Sequence, residues 1–345
     1  QEACSAADVE GDGDIDFLGS LGVLFNRGDG VFVLDREAVS APDDYDSVEA
    51  LAVGDVDLDG DIDAYFAVHF APWPDDRLLL NDGDGTFEDA PDQLLFEAVW
   101  SFEVELGDLD GDGAPELVRA VAAPEGPSQF VHPNDGFGVF AAAEAYSESS
   151  ASDLALVDVD LDGDLDIVQV GYGLNELYLN GGAGDLAPAG ANLPAHEDGS
   201  TVVAIGDVDE DGDPDLYVGN HSSAVTSHRL YTNDGRAVFT NAGADLPRED
   251  RTVDAAEFGD FDGDGDLDIV IAIDPVNPSC DPIALRFLKN EGPGAFHFAD
   301  RKLDATAAGA ERLEVFDADG DGDPDLFALG VQHERLYLND GDGNL

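Results

Sequence analysis

A nine-residue frame of alternating aspartates around a fixed glycine occurs seven times in the chain. This recurrence limits the possible folds more than any other feature. The frame begins at Asp8, Asp55, Asp108, Asp158, Asp207, Asp260 and Asp317, so successive copies start 47 to 57 residues apart. Residues 55–63 read D-V-D-L-D-G-D-I-D and residues 158–166 read D-V-D-L-D-G-D-L-D. The copies at 8–16, 55–63, 108–116, 158–166, 207–215, 260–268 and 317–325 fill the chain and leave no room for a second domain or a long linker. Self-similarity of this period marks a repeat architecture, in which each unit buries its apolar face against its neighbours. The expectation is therefore one domain over residues 1–345.

Each copy has the same surroundings. In the second, an alternating apolar stretch at 48–53 precedes the loop and another at 64–68 follows it. A variable loop leads to a third stretch at 78–80, then to Asn-Asp-Gly-Asp-Gly at 81–85 and an aromatic at Phe87. The hairpin signal recurs at 26–30, 134–138, 180–184, 233–235, 290–294 and 339–343. Alternation bounded by Asn-Asp-Gly turns is a strand-and-hairpin signature. No segment sustains the 3.6-residue period of a helix. Four short strands per unit, repeated seven times, predict an all-β, seven-bladed β-propeller of four-stranded blades.

The D-x-D-x-D-G-x-x-D loop, followed by L-Y-x-N-D-G-x-G-x-F, resembles the FG-GAP/VCBS repeat. That repeat builds the propeller at the head of integrin α-subunits and of many secreted bacterial proteins. The resemblance covers all seven units, from Asp8 to Leu345. It implies the propeller fold and a metal loop in each blade. It says little about function, because the family includes adhesins, lectin-like proteins, lyases and scaffolds.

The loops carry the clearest chemistry. Hard cations such as Ca²⁺ take 6–8 oxygen ligands, and fixed carboxylates with one main-chain carbonyl supply them. Positions 1, 3, 5 and 9 offer side chains, and position 7 offers its carbonyl. In order, the candidate ligands of the first three loops are Asp8, Glu10, Asp12, Asp14 and Asp16; Asp55, Asp57, Asp59, Asp61 and Asp63; then Asp108, Asp110, Asp112, Ala114 and Glu116. The next two loops give Asp158, Asp160, Asp162, Asp164 and Asp166, then Asp207, Asp209, Asp211, Asp213 and Asp215. The last two give Asp260, Asp262, Asp264, Asp266 and Asp268, then Asp317, Asp319, Asp321, Asp323 and Asp325. Ala114 at position 7 supports a main-chain role there. An EF-hand is excluded, because position 12 never holds Glu and the flanks alternate like strands. About seven Ca²⁺ per chain are expected. Glu10 and Glu116 depart from the Asp pattern and mark the expected weakest sites.

The charge of −64, from 78 acidic and 14 basic residues, excludes a general nucleic-acid binder, since phosphates must be met by positive charge. No apolar run is long enough to insert in a membrane. The start at Gln1, with no Met anywhere, fits a processed, secreted chain. Cys4 and Cys280 permit one disulfide, and equally two thiols.

In the family, the loops between second and third strands form the usual ligand face. Here that places His69, Trp73, Tyr172, His221, His228 and His333 as candidates for a glycan or protein ligand. Arg77, Arg229 and Arg335 open third strands and suggest ion pairs between blades. The leading functional reading is a non-catalytic extracellular binding or adhesion module. A second is a subunit that assembles with copies of itself. Leu345 aligns with Phe87, so the seventh blade would lack its outer strand and expose an edge. A polysaccharide lyase is the third reading. It needs a base and a charge neutraliser clustered on one face.

Overall fold

The computed structural model describes residues 3–40, 48–68, 76–96, 100–121, 128–197, 199–221, 228–243, 246–273, 285–292, 294–299, 310–330 and 334–345. These form an all-β chain of seven antiparallel blades. Blade one runs Cys4–Ala7, Asp16–Gly19, Gly22–Phe25, Val33–Asp35, with strands hydrogen-bonded in chain order. Blade two runs Val48–Gly54, Asp63–Val68, Arg77–Asn81, Phe87–Asp89, and the short Val39–Ser40 lies parallel to its last strand. Blade three is Ser101–Gly107, Glu116–Val121, Gln129–His132, Glu144–Ser147. Blade four is Asp153–Val157, Asp166–Val170, Glu176–Asn180, Leu186–Pro188. Blade five is Ser200–Gly206, Asp215–Asn220, His228–Thr232, Thr240–Asn241, and blade six is Val253–Gly259, Asp268–Ile273, Leu285–Asn290, Phe296–Phe298. In blade seven the described strands are Ala310–Phe316, Asp325–Gly330 and Glu334–Tyr337. No helix among the described residues is long and apolar enough to cross a membrane.

Contacts group the chain into two compact units, Gln1–Leu156 with Asn180–Leu186, and Val157–Leu179 with Ala187–Leu345. In both, the packing has one logic. Second strands are buried along all or nearly all of their length, as in Asp63–Val68 and Asp268–Ile273, because neighbouring blades cover both faces. Their sequences are accordingly near-continuous apolar runs. In the first unit, Val9, Leu18 and Phe25 of blade one pack with Leu51, Phe66 and Leu79 of blade two. The other face of blade two sends Ala52, Tyr65 and Leu78 against Val104, Leu117 and Phe140 of blade three. In the second unit, Tyr217 and Leu230 of blade five meet Ile269 and Ile271 of blade six, whose Val270 and Phe287 meet Leu313 and Leu326 of blade seven.

The ion pair described for Arg77 lies within its own blade. Its Nη1 reaches Asp89 Oδ2 at 3.3 Å, across the last two strands of its own blade. The two residues stand on adjacent antiparallel strands, so the nearest carboxylate is a cross-strand one. Cys4 is buried, and Cys280 lies outside the described residues.

Candidate metal loops and the opposite blade ends

Each first strand ends at a metal loop, and position 9 of that loop opens the second strand. The loop backbone is wound the same way every time. In blade two, Asp59 N and Gly60 N donate to Asp55 Oδ1 and Oδ2 at 3.1 and 3.0 Å, and Asp61 N donates to Asp59 Oδ1 at 3.1 Å. The turn needs left-handed backbone at position 6, and Gly60 supplies it at φ +100°. Position 4 is left-handed too, with Gly111 at φ +76° in blade three but Leu58 at φ +61° in blade two.

Position 9 does more than face the loop. Asp63 Oδ2 accepts from Val56 N at 2.9 Å, and its Oδ1 accepts from Asn81 N at 2.9 Å. Asp215 repeats this with Val208 N and Asn233 N, and Asp325 with Ala318 N and Asn339 N. The carboxylate therefore staples the loop start and the hairpin to the second strand. Glu116 does the same work for Leu109 N at 2.8 Å, so the longer arm does not break the pattern.

The hairpin asparagine then links blades. Asn81 Nδ2 donates at 2.8 Å to Val9 O, at position 2 of the preceding blade's loop. The same bond runs from Asn134 to Val56 O, from Asn180 to Leu109 O, from Asn233 to Val159 O, from Asn290 to Val208 O and from Asn339 to Phe261 O. The hairpin glycine is required by crowding as well as by conformation. A Cβ on Gly235, at φ +68°, would stand 2.6 Å from the position 7 carboxylate of Asp213.

The carboxylates at positions 1, 3 and 9 converge. Ligand oxygens of Asp55, Asp57 and Asp63 lie within 4.8 Å of one another. So do those of Asp108, Asp110 and Glu116, of Asp158, Asp160 and Asp166, and of Asp207, Asp209 and Asp215. Oxygens sharing one Ca²⁺ at ~2.4 Å can be at most about 4.8 Å apart, so the spacing fits. A second observation supports the fit. Oδ1 of Asp57, Asp160, Asp209 and Asp319, all at position 3, is buried and accepts no hydrogen bond. An anionic oxygen removed from water without a partner is costly, and a cation offsets that cost.

The electrostatics agree. Burial, resisted by the backbone amides, pushes Asp63, Glu116, Asp215 and Asp268 up to about 7. Asp57, Asp160 and Asp209 are also raised, first by burial and then by the carboxylate at position 5.

The double duty of position 9 separates it from position 7. Asp63→Ala strands the buried amides of Val56 and Asn81, each worth about 1–3 kcal/mol. We expect it to lower stability by roughly 2–5 kcal/mol even in excess chelator, because the staple acts without metal. Asp61→Ala, which keeps the position 7 carbonyl, is expected to cost less than about 1 kcal/mol. Urea unfolding of both variants checks this, and equal losses would assign the position 7 side chain a ligand role.

At the opposite blade ends, the structure sorts the predicted ligand residues. His69, Trp73 and His333 lie outside the described residues. Tyr172 is 74% exposed, and it stands beside exposed His221. A Cβ on Gly199 would meet Tyr172 Cδ1 at 3.8 Å and His221 Cβ at 3.9 Å. His228 is not displayed. It opens a third strand inside blade five, buried, with Tyr217 OH at 2.8 Å from Nδ1 and Pro247 O at 2.8 Å from Nε2. Burial lowers its basicity.

Two exposed aromatics at this end carried no sequence signal. Trp100 and Phe102 lie with ring centroids 5.0 Å apart, where a register shift at the start of Ser101–Gly107 turns Phe102 outward. A bulge re-aims a side chain in this way.

The same end holds a buried ionic cluster. Asp76 Oδ2 accepts from Tyr65 OH at 2.6 Å and Arg119 Nη2 at 2.7 Å. Ser101 Oγ accepts from Arg119 Nε at 3.1 Å, and the guanidinium lies 5.0 Å from the Phe96 ring centroid. His132, with Nε2 3.4 Å from Arg119 Nη1, is pushed down to about 4, chiefly by burial. Arg119 is 1% exposed, so this cluster of acid, base and cation is packed inside the protein.

A family model described as an FG-GAP-like repeat matches residues 68–118 and 158–218. No curated protein matches the chain. Among solved structures, a lectin from Agrocybe aegerita, described as recognising non-reducing terminal N-acetylglucosamine, is similar at 19% identity. The match covers 99% of this chain and 92% of the lectin, with a TM-score of 0.64. BBS1N, solved in complex with ARL6DN, is similar at 11% identity over 99% of this chain and 92% of that one, with a TM-score of 0.59. Rhamnogalacturonan lyase from Bacillus licheniformis gives 16% identity over 86% of this chain and 56% of that one, with a TM-score of 0.48. At these identities the likeness is one of fold.

Proposed function

Because the chain is a seven-bladed β-propeller built on FG-GAP repeats, we propose that it is an extracellular, calcium-stabilised binding module without turnover, whose ligand is a neutral glycan. The observation that carries the ligand class is the exposed Tyr172 ring beside His221, around Gly199, at the blade ends away from the metal loops. An exposed aromatic face stacks on the C–H face of a sugar, and a neighbouring imidazole supplies a hydrogen bond to a hydroxyl. The likeness to a lectin of the same fold supports a sugar. The net charge of −64 repels uronic acid polymers and favours an uncharged ligand.

In the metal loops, the residues that would hold calcium are those at positions 1, 3 and 9, joined by the position 5 carboxylate and the position 7 carbonyl. The ion would supply charge neutralisation, closing loops that otherwise hold mutually repelling carboxylates. The loop amides orient the position 1 and position 5 carboxylates, and position 9 fixes the loop to the sheet.

The test is calorimetric titration with a panel of neutral and acidic oligosaccharides, with product analysis by chromatography. Saturable binding of a neutral glycan is expected, weakened at least tenfold in Tyr172→Ala with an unchanged melting temperature. Cleavage of any polysaccharide, or glycan binding that Tyr172→Ala leaves intact, would overturn the assignment.

A further inference from the structure

The sixth loop departs from the others, and the departure is a lysine. Lys289 is one of two lysines in the chain and stands directly before the hairpin Asn290. Its Nζ is ion-paired with Asp262 Oδ2 and lies 3.1 Å from Asp264 Oδ2, positions 3 and 5 of the loop. The corresponding residues of the other blades are Phe25, Leu80, Pro133, Leu179, Thr232 and Leu338, none of which is charged. No other blade has a lysine at this position.

Two further features set this loop apart. In blades two to five the converging set is positions 1, 3 and 9, but in blade six it is Asp260, Asp262 and Asp264, positions 1, 3 and 5. The position 2 amide differs too. Val56 N and Val208 N donate to the position 9 carboxylate, whereas Phe261 N donates to Gly259 O at 3.1 Å. The rest of the winding is retained, with Asp264 N and Gly265 N on Asp260 and Asp266 N on Asp264. The ammonium thus sits among the carboxylates that a cation would use, in a loop otherwise formed like its neighbours.

We propose that Lys289 is a tethered counter-cation that takes the place of calcium in the sixth loop. The loop is thereby closed to Ca²⁺ at concentrations that fill the others. This inference rests on reading the other loops as calcium sites. To enter, a divalent ion must break two charge-assisted bonds and displace an ammonium that remains attached nearby. The tether holds that ammonium at a high local concentration whatever the calcium level outside. One blade of the second unit then keeps a counter-charge in its loop when calcium is withdrawn.

Native mass spectrometry at fixed free Ca²⁺ counts the ions, using wild type, Lys289→Leu and Lys289→Arg. Leucine is the residue of three other blades, so the first variant suits the strand. Lys289→Leu is expected to bind one more Ca²⁺ per chain than wild type, and Lys289→Arg the wild-type number. In excess chelator, Lys289→Leu is expected to melt several degrees below wild type, and the gap should close in saturating Ca²⁺. Equal, non-zero counts in wild type and Lys289→Leu would overturn this inference alone. Zero Ca²⁺ in all three proteins would overturn the calcium reading beneath it.

Discussion

Removing calcium with excess chelator is expected to lower the melting temperature by roughly 8 °C, fully reversed on adding Ca²⁺. In blades two to five the carboxylates at positions 1, 3 and 9 come together, and in three of these loops a position 3 oxygen is buried without a partner. At ten times Kd each filled site stabilises the folded state by ~1.4 kcal/mol, so four independent sites contribute roughly 6 kcal/mol. This is comparable to the whole stability of many domains. Differential scanning calorimetry with and without EDTA measures it. A melt that does not move in EDTA would remove calcium from the account of the fold.

The pH dependence is expected to reverse sign with metal. In the calcium-free protein, Asp63, Glu116, Asp215 and Asp268 hold their protons up to about pH 7, against 3.8 for Asp and 4.5 for Glu in the unfolded chain. Between about pH 4 and 7 the folded state then binds more protons than the unfolded one, so stability falls as pH rises through that window. Loaded protein behaves oppositely, because the ion needs Asp63, Glu116 and Asp215 ionised and protons compete with it. Melting temperature from pH 5 to 8 should fall in chelator and rise in saturating Ca²⁺. The same slope in both would show that position 9 does not couple to the metal.

The repeat made the fold legible. Ligand offsets and hairpin signals are local, so seven frames and their Asn-Asp-Gly turns name the strands between them. What escaped the sequence was long-range. Asp63 reads as a ligand, but its role as a staple depends on Asn81, 18 residues on. The asparagines read as turn formers, although Asn81 Nδ2 bonds a carbonyl 72 residues away. His228 reads as a loop histidine because the variable loop before it has no fixed length. The strand begins at that residue and buries it. Glu116 reads as a weak ligand by arm length and converges with Asp108 and Asp110 as the aspartates of its neighbours do, while Lys289 pairs with carboxylates of its own loop. A charge at a position that is uncharged in the other six blades was the available signal.

The hairpin asparagines give the repeats a direction. From Asn81 to Asn339, six of them bond the loop of the blade before, so loosening one loop frees the hairpin that follows. Neighbouring repeats coupled in this way behave as a chain of nearest-neighbour terms, in which losing a loop weakens the hairpin that follows and losing that hairpin weakens the loop. Asn339 takes its bond from Phe261 O, inside the loop that Lys289 pairs with. Blade seven is therefore seated on a loop whose position 3 and position 5 carboxylates pair with a lysine of the chain itself, a counter-charge that chelation does not remove.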